Sequence, residues 1–155
     1  MIEPVKKTVF AACGPHEAFD IFTARIDAWW PKHSHSIVAS RSGGAPRSVV
    51  FEARPGGRIY EVCDDGTTHD WGQVIEAERG RKLLFSWHVG RPADEASEVE
   101  IHFEDAGDKG TRVSLEHRNW DRFGAEAQAT RDGYDSGWDF VLGECYLSAT
   151  VRETA

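Results

Sequence analysis

The chain has 155 residues and a formal net charge of -8, with 18 Lys and Arg scattered among 26 Asp and Glu. That balance excludes the clustered cationic surface with which a protein displaces counterions from nucleic acid. The longest apolar runs, such as Val49 to Phe51 and Leu83 to Phe85, exclude a membrane span of roughly 20 residues, and MIEPVKKTVF lacks a signal-peptide apolar stretch, so a cytoplasmic protein is expected.

The length predicts a single domain over residues 1–155 with a core of its own. VKKTVFAAC has the composition of a first strand. Pro15 then opens PHEAFDIFTARIDAWW, where Ala18, Phe19, Phe22 and Ile26 recur at helical spacing until Pro31, predicting one or two short helices. The polar stretch Ser40 to Ser48 reads as a loop within the domain.

From Val49 the apolar period changes to two, the signature of strands whose side chains alternate between faces. SVVFEAR, GRIYEVC, HDWGQVIEAE, KLLFSWHV, EVEIHFED and TRVSLEHR are the predicted strands. They are joined by turn residues at Pro55-Gly56-Gly57, Asp65-Gly66, Arg79-Gly80 and Gly107 to Gly110. In the last of these strands Val113, Leu115 and His117 share the inner face, so His117 stands where the pattern asks for an apolar residue. A long helix is predicted from about Ala125 to the end. Its stripe of Tyr134, Trp138, Val141, Leu142, Cys145 and Ala149 must lie on the sheet, while Phe140, Leu147 and Val151 form a second stripe for the first helices or another subunit.

These elements predict an α+β domain in which a curved antiparallel sheet of about seven strands wraps a long C-terminal helix, with two short helices after the first strand. The order resembles the helix-grip fold of the START and SRPBCC superfamily, known for hydrophobic ligand cavities. The blocks AFDIFTARIDAWWPKHSHSI, EARPGGRIYEVCDDGTTHDWGQV, KLLFSWHVG, TRVSLEHRNW and YDSGWDFVLGECYL resemble those of bacterial proteins similar to the activator of heat-shock-protein-90 ATPase. The likeness covers nearly the whole chain and implies the fold and a cavity, but no reaction. It covers only the helix-grip domain of the two-domain eukaryotic co-chaperones, and the missing companion domain argues against a chaperone partner.

The candidate site follows from the inward polar and aromatic positions. If Phe51 pairs with Ile59, then Val49, Phe51, Ile59 and Glu61 share the inner face, and a buried Glu61 needs a partner or a retained proton; a one-residue bulge would instead turn it to solvent. Trp71, Trp87 and Trp138 are each ordinary core material, but several indoles beside inward polar groups point to pocket walls. His117 reads either as a satisfied core histidine or as a ligand anchor. The expected function is a small-molecule binding protein whose cavity lies between the terminal helix and the sheet. Trp71, Trp87, Tyr134 and Trp138 would line it, with Glu61, Gln73 and His117 as polar anchors for an apolar or aromatic ligand. Two alternatives are an enzyme in which Glu61 or His117 moves protons, and a chaperone-associated module. A homodimer through a strand edge or the second helix stripe is a further expectation. No cofactor or metal is expected: His33, His35 and His69-Asp70 do not have metal-ligand spacing, Cys13, Cys63 and Cys145 form no CxxC pair, and GxSxG is absent.

Overall fold

The computed structural model describes residues 2–154. Its strands are β1 (Val5–Ala11), β2 (Ser48–Phe51), β3 (Arg58–Val62), β4 (Thr68–Glu78), β5 (Lys82–Trp87), β6 (Ser97–Asp105) and β7 (Thr111–Arg118). They form one curled antiparallel sheet in the order β1-β7-β6-β5-β4-β3-β2. The six strands after the crossover are neighbours in sequence because each turn is short; β1 and β2 become the edges because three helices separate them.

Those helices are α1 (Pro15–Phe22), α2 (Ile26–Trp29) and α3 (Ile37–Ser42). Pro15 occupies the first turn of α1, and Ala18, Phe19, Ile21 and Phe22 bury its inner face. The third helix falls partly in the stretch read as a polar loop. Ser36 caps it, its Oγ accepting from Ala39 N at 3.0 Å, and Gly43 ends it in the left-handed region at φ 77. With six residues it is too short for apolar periodicity to register.

The terminal helix runs as α4 (Ala127–Phe140), a π-helical stretch at Val141–Tyr146, and α5 (Leu147–Thr154). Trp138, Val141 and Leu142 face the sheet as the periodicity requires. Beyond them the inward residues are Tyr146, Ala149 and Thr150, while Cys145 is only half-buried. The π turn accounts for the change: its wider spacing delays the inward position by one residue. Tyr146 then donates to the Ala18 carbonyl at 2.7 Å, locking the terminal helix onto α1. At the sheet edge Lys7 pairs with Asp135 at 2.9 Å and Asp139 at 2.8 Å, tying β1 to α4. Of the second stripe, Phe140 faces His35 with ring centroids 5.5 Å apart, and Val151 is exposed.

The β2–β3 register is Phe51 to Ile59 and Val49 to Glu61, which puts the Glu61 side chain inside. The next pair is less regular. Opposite Ile59 and Tyr60 the register slips, with Gly72 and Asp70 as their partners, so that Trp71 is an extra residue on β4. A second slip lies between Val74 and Glu76 against β5. Each bulge reverses the inside–outside parity that strict alternation would carry forward. At the first, Gly72 lets the strands approach so closely that a Cβ there would sit 1.8 Å from the Ser86 carbonyl oxygen. Among the described residues no helix is long and apolar enough to cross a membrane.

Candidate functional site

Four indoles converge where α2, β4, β5 and α4 meet. Trp30 stands 5.2 Å from Trp71, 5.8 Å from Trp87 and 6.3 Å from Trp138, and Trp87 lies 5.6 Å from Trp71 and 6.2 Å from Trp138, all between ring centroids in tilted or edge-on pairs. Such pairs add about 0.5–1.5 kcal/mol each beyond the area they bury. Trp30, Trp71, Trp87 and Trp138 are all buried, so every indole N–H needs a partner.

Three have one. Trp30 donates to the His35 carbonyl at 2.7 Å, Trp71 to Glu61 Oε1 at 2.7 Å, and Trp138 to His117 Nδ1 at 3.0 Å. Trp87 Nε1, buried away from water, has no hydrogen-bond partner among the described residues. The Tyr134 hydroxyl lies close enough to feel the indole N–H but outside hydrogen-bond geometry. Burial holds the Tyr134 phenol above its ordinary pKa, so it remains a neutral donor at physiological pH.

Beside this cluster opens a pocket of about 230 Å³. One wall is α4 and the turn after it, where Tyr134, Gly137, Trp138 and Val141 share a face at three- and four-residue steps. Trp30 and Trp87, Val89 and Gly90, the loop at Ser34 to Ser36, and Ile37 and Ser40 of α3 line the rest. His35 at the rim shares a 2.7 Å hydrogen bond with Ser34 Oγ through Nδ1, and partial burial lowers its pKa from the usual value.

Trp87, Tyr134 and Trp138 therefore line the pocket, and Trp71 stands behind Trp30 and Trp87 without reaching it. The three residues expected as polar anchors lie elsewhere. Gln73 is exposed on the outer face of β4, because the bulge at Trp71 breaks the parity that would have set both side chains inward. Glu61 is fully buried, but both carboxylate oxygens are occupied. Oε1 accepts from Ile37 N at 2.7 Å as well as from Trp71, and Oε2 accepts from Val38 N at 3.0 Å. This carboxylate closes the first turn of α3, where unpaired backbone N–H groups favour an anion.

His117 is equally committed. Because the Trp138 indole can only donate, Nδ1 is the acceptor and the proton resides on Nε2. Nε2 donates to Ser97 Oγ at 2.7 Å, and Ser97 donates to the Trp87 carbonyl at 3.0 Å. Burial drives the imidazole pKa down to about 3, so the ring is neutral at pH 7. The result is a strut joining α4, β7, β6 and β5. Pocket residues not anticipated as such from sequence include Trp30, Val89, Gly90 and the Ser34 to Ile37 segment. Its proline-flanked PKHSHS run gave no periodicity, although Ser36 before an apolar pair is a cap signal.

Known structures resemble this one along most of its length. The anthrahydroquino-γ-pyrone synthase Txn09 is 34% identical over 86% of this chain and 88% of its own, with a TM-score of 0.60. CalC, a self-sacrificing resistance protein from Micromonospora echinospora, is 25% identical over 97% of this chain and 96% of its own, with a TM-score of 0.72. MLL2253 from Mesorhizobium loti, 17% identical with 99% of each chain covered and a TM-score of 0.64, shares the fold. No protein of curated function matches the sequence. The family model of the activator of Hsp90 ATPase homolog 1-like proteins matches residues 13–143, and the chain belongs to that family.

Proposed function

We propose that the protein binds a small, flat, largely apolar ligand in the pocket between α4, the end of β5 and α3. The observation that carries this reading is the lining itself: Trp30, Trp87, Trp138 and Tyr134 present aromatic surface to an opening even though the three indoles also pack on one another. Apolar burial at about 25 cal/mol per Å² would supply most of the affinity before the costs of association. Size narrows the ligand. At about 230 Å³ the pocket exceeds the roughly 150 Å³ cavity that admits benzene and falls below the roughly 300 Å³ at which drug-sized sites begin, which suits a fused two-ring molecule or one end of a larger polycycle. The similarity to Txn09, called an anthrahydroquino-γ-pyrone synthase, supports the same ligand class.

Acid–base chemistry through Glu61 or His117 is not favoured by the geometry. Neither lines the pocket, and the ligand-facing atoms each would need are already bonded to protein. Native mass spectrometry of gently purified protein, followed by a thermal-shift screen of fused aromatics and lipids, tests the binding reading. A co-purifying mass or a ligand-dependent shift is expected, and a clean apo mass with a flat screen would sink it.

Gly137 offers a control at the same wall. A Cβ added there meets nothing within 4 Å, and glycine inside a helix is about 0.5–1 kcal/mol less stable than alanine. Gly137→Leu is therefore expected to hold or raise Tm while its side chain occupies the pocket and abolishes ligand-induced shifts. A variant that still responds to ligand would place binding elsewhere.

A further inference from the structure

The buried donor at Trp87 says more about the ligand than its shape. A buried N–H without an acceptor is destabilising, and Trp87 is the exception in a cluster whose three other indoles are each paired within 3.0 Å. It is 4% exposed, and its ring is part of the pocket wall. Tyr134, on the same wall, brings its hydroxyl close to this N–H without aligning its oxygen as an acceptor. The indole donor and the hydroxyl thus sit side by side on the aromatic part of a lining whose other polar members are Ser34, His35, Ser36 and Ser40, none of which accepts from Trp87. The paired polar groups of the site, Glu61 and His117, are turned to the protein interior and supply none.

We infer that the ligand carries a hydrogen-bond acceptor on its ring system, a carbonyl or ring-heteroatom lone pair, received by the Tyr134 hydroxyl, which in turn accepts the Trp87 indole N–H. This rests on the binding function proposed above. Because Trp87 Nε1 is closed to water, the acceptor meets the Tyr134 hydroxyl, which turns into line with Trp87, accepts its N–H and donates its own proton to the ligand; such a chain polarises each bond in it. This arrangement gives the orphan indole its missing partner in the bound state. A pure hydrocarbon of equal shape would leave both donors unsatisfied and bind less well.

Quinoline and naphthalene provide the test, since they share one outline and differ by a ring nitrogen that only accepts. Both are titrated into the full chain and into Trp87→Phe and Tyr134→Phe, with dissociation constants read from ¹H–¹⁵N spectra. The Trp87 indole resonance is identified by its absence from the first variant. In the parent protein quinoline is expected to move the Trp87 N–H downfield, and naphthalene is not. The preference for quinoline over naphthalene should fall about 3- to 10-fold in each variant, the usual worth of one neutral hydrogen bond. Taking the ratio of the two probes cancels the change in cavity shape that Trp87→Phe brings, and Tyr134→Phe keeps the ring. If both probes bind but the preference is unchanged in both variants, the donor pair is refuted while the apolar pocket survives. If neither binds up to its solubility limit, the pocket reading fails and takes this inference with it.

Discussion

Replacing Glu61 by alanine is expected to destabilise the protein by about 3–5 kcal/mol, a large part of the roughly 5–15 kcal/mol that holds an ordinary domain together. The carboxylate is fully buried and accepts three hydrogen bonds, from Ile37 N, Val38 N and Trp71 Nε1. Its removal leaves three donors without an acceptor, at about 1–3 kcal/mol each when they remain dry. It also removes the negative charge facing the first turn of α3, a helix of six residues that cannot persist by its own propensity. Part of the loss will be recovered as α3 frays and its amides reach water, which is why the estimate lies below the upper sum. Glu61→Gln keeps one acceptor oxygen but turns an NH₂ toward a backbone N–H, so about half the loss is expected. Urea denaturation gives the free energies, and amide exchange at Ile37 and Val38 reports the detachment of α3. A Glu61→Ala protein within about 1 kcal/mol of the parent, with α3 still protected, would refute this anchoring role.

This carboxylate also shows where the sequence is legible and where it is not. Its inward orientation follows from alternation in two adjacent strands and a short turn, and the Phe51–Ile59 register is what alternation predicts. What it binds cannot be read locally, because Ile37 and Val38 lie 24 and 23 residues away in a helix without detectable period. The strand order, the turn glycines and the amphipathic terminal helix were readable for the same reason: each depends on residues within one period of one another. Gln73 and Cys145 were misplaced for the opposite reason. A bulge and a π turn each insert one residue, and one residue is enough to reverse a period-two pattern or rotate a helical stripe. The aromatic walls could be named from sequence, but the one tryptophan left without a partner depends on the positions of three others and became visible only once they were assembled.

The stability of the protein is expected to fall by about 2–3 kcal/mol between pH 7 and pH 4.5 through His117 alone. Burial lowers the folded-state pKa of this histidine from 6.5 to about 3. Above pH 6.5 the ring is neutral whether the chain is folded or not, and the group contributes no pH dependence. Between pH 6.5 and pH 3 the unfolded chain takes up a proton that the native ring refuses, so unfolding is favoured by up to about 1.4 kcal/mol for each pH unit. Below pH 3 both forms are protonated and the loss levels off. His35, whose pKa burial also lowers, adds a contribution of the same sign. Asp20 and Glu100, held below their usual pKa by the Arg79 and His102 hydrogen bonds respectively, lose their stabilisation only at lower pH, which makes pH 4.5 the useful lower limit. Chemical denaturation across this range should show a steeper decline in the parent than in His117→Gln, although the variant starts lower because the bonds to Ser97 and Trp138 are broken. Imidazole ¹⁵N shifts of the parent should report a neutral ring protonated at Nε2 throughout. A His117 ring that titrates near pH 6.5 in the native protein, or equal slopes in the two proteins, would show that water or a charge reaches this strut and that the core beneath the tryptophans is open.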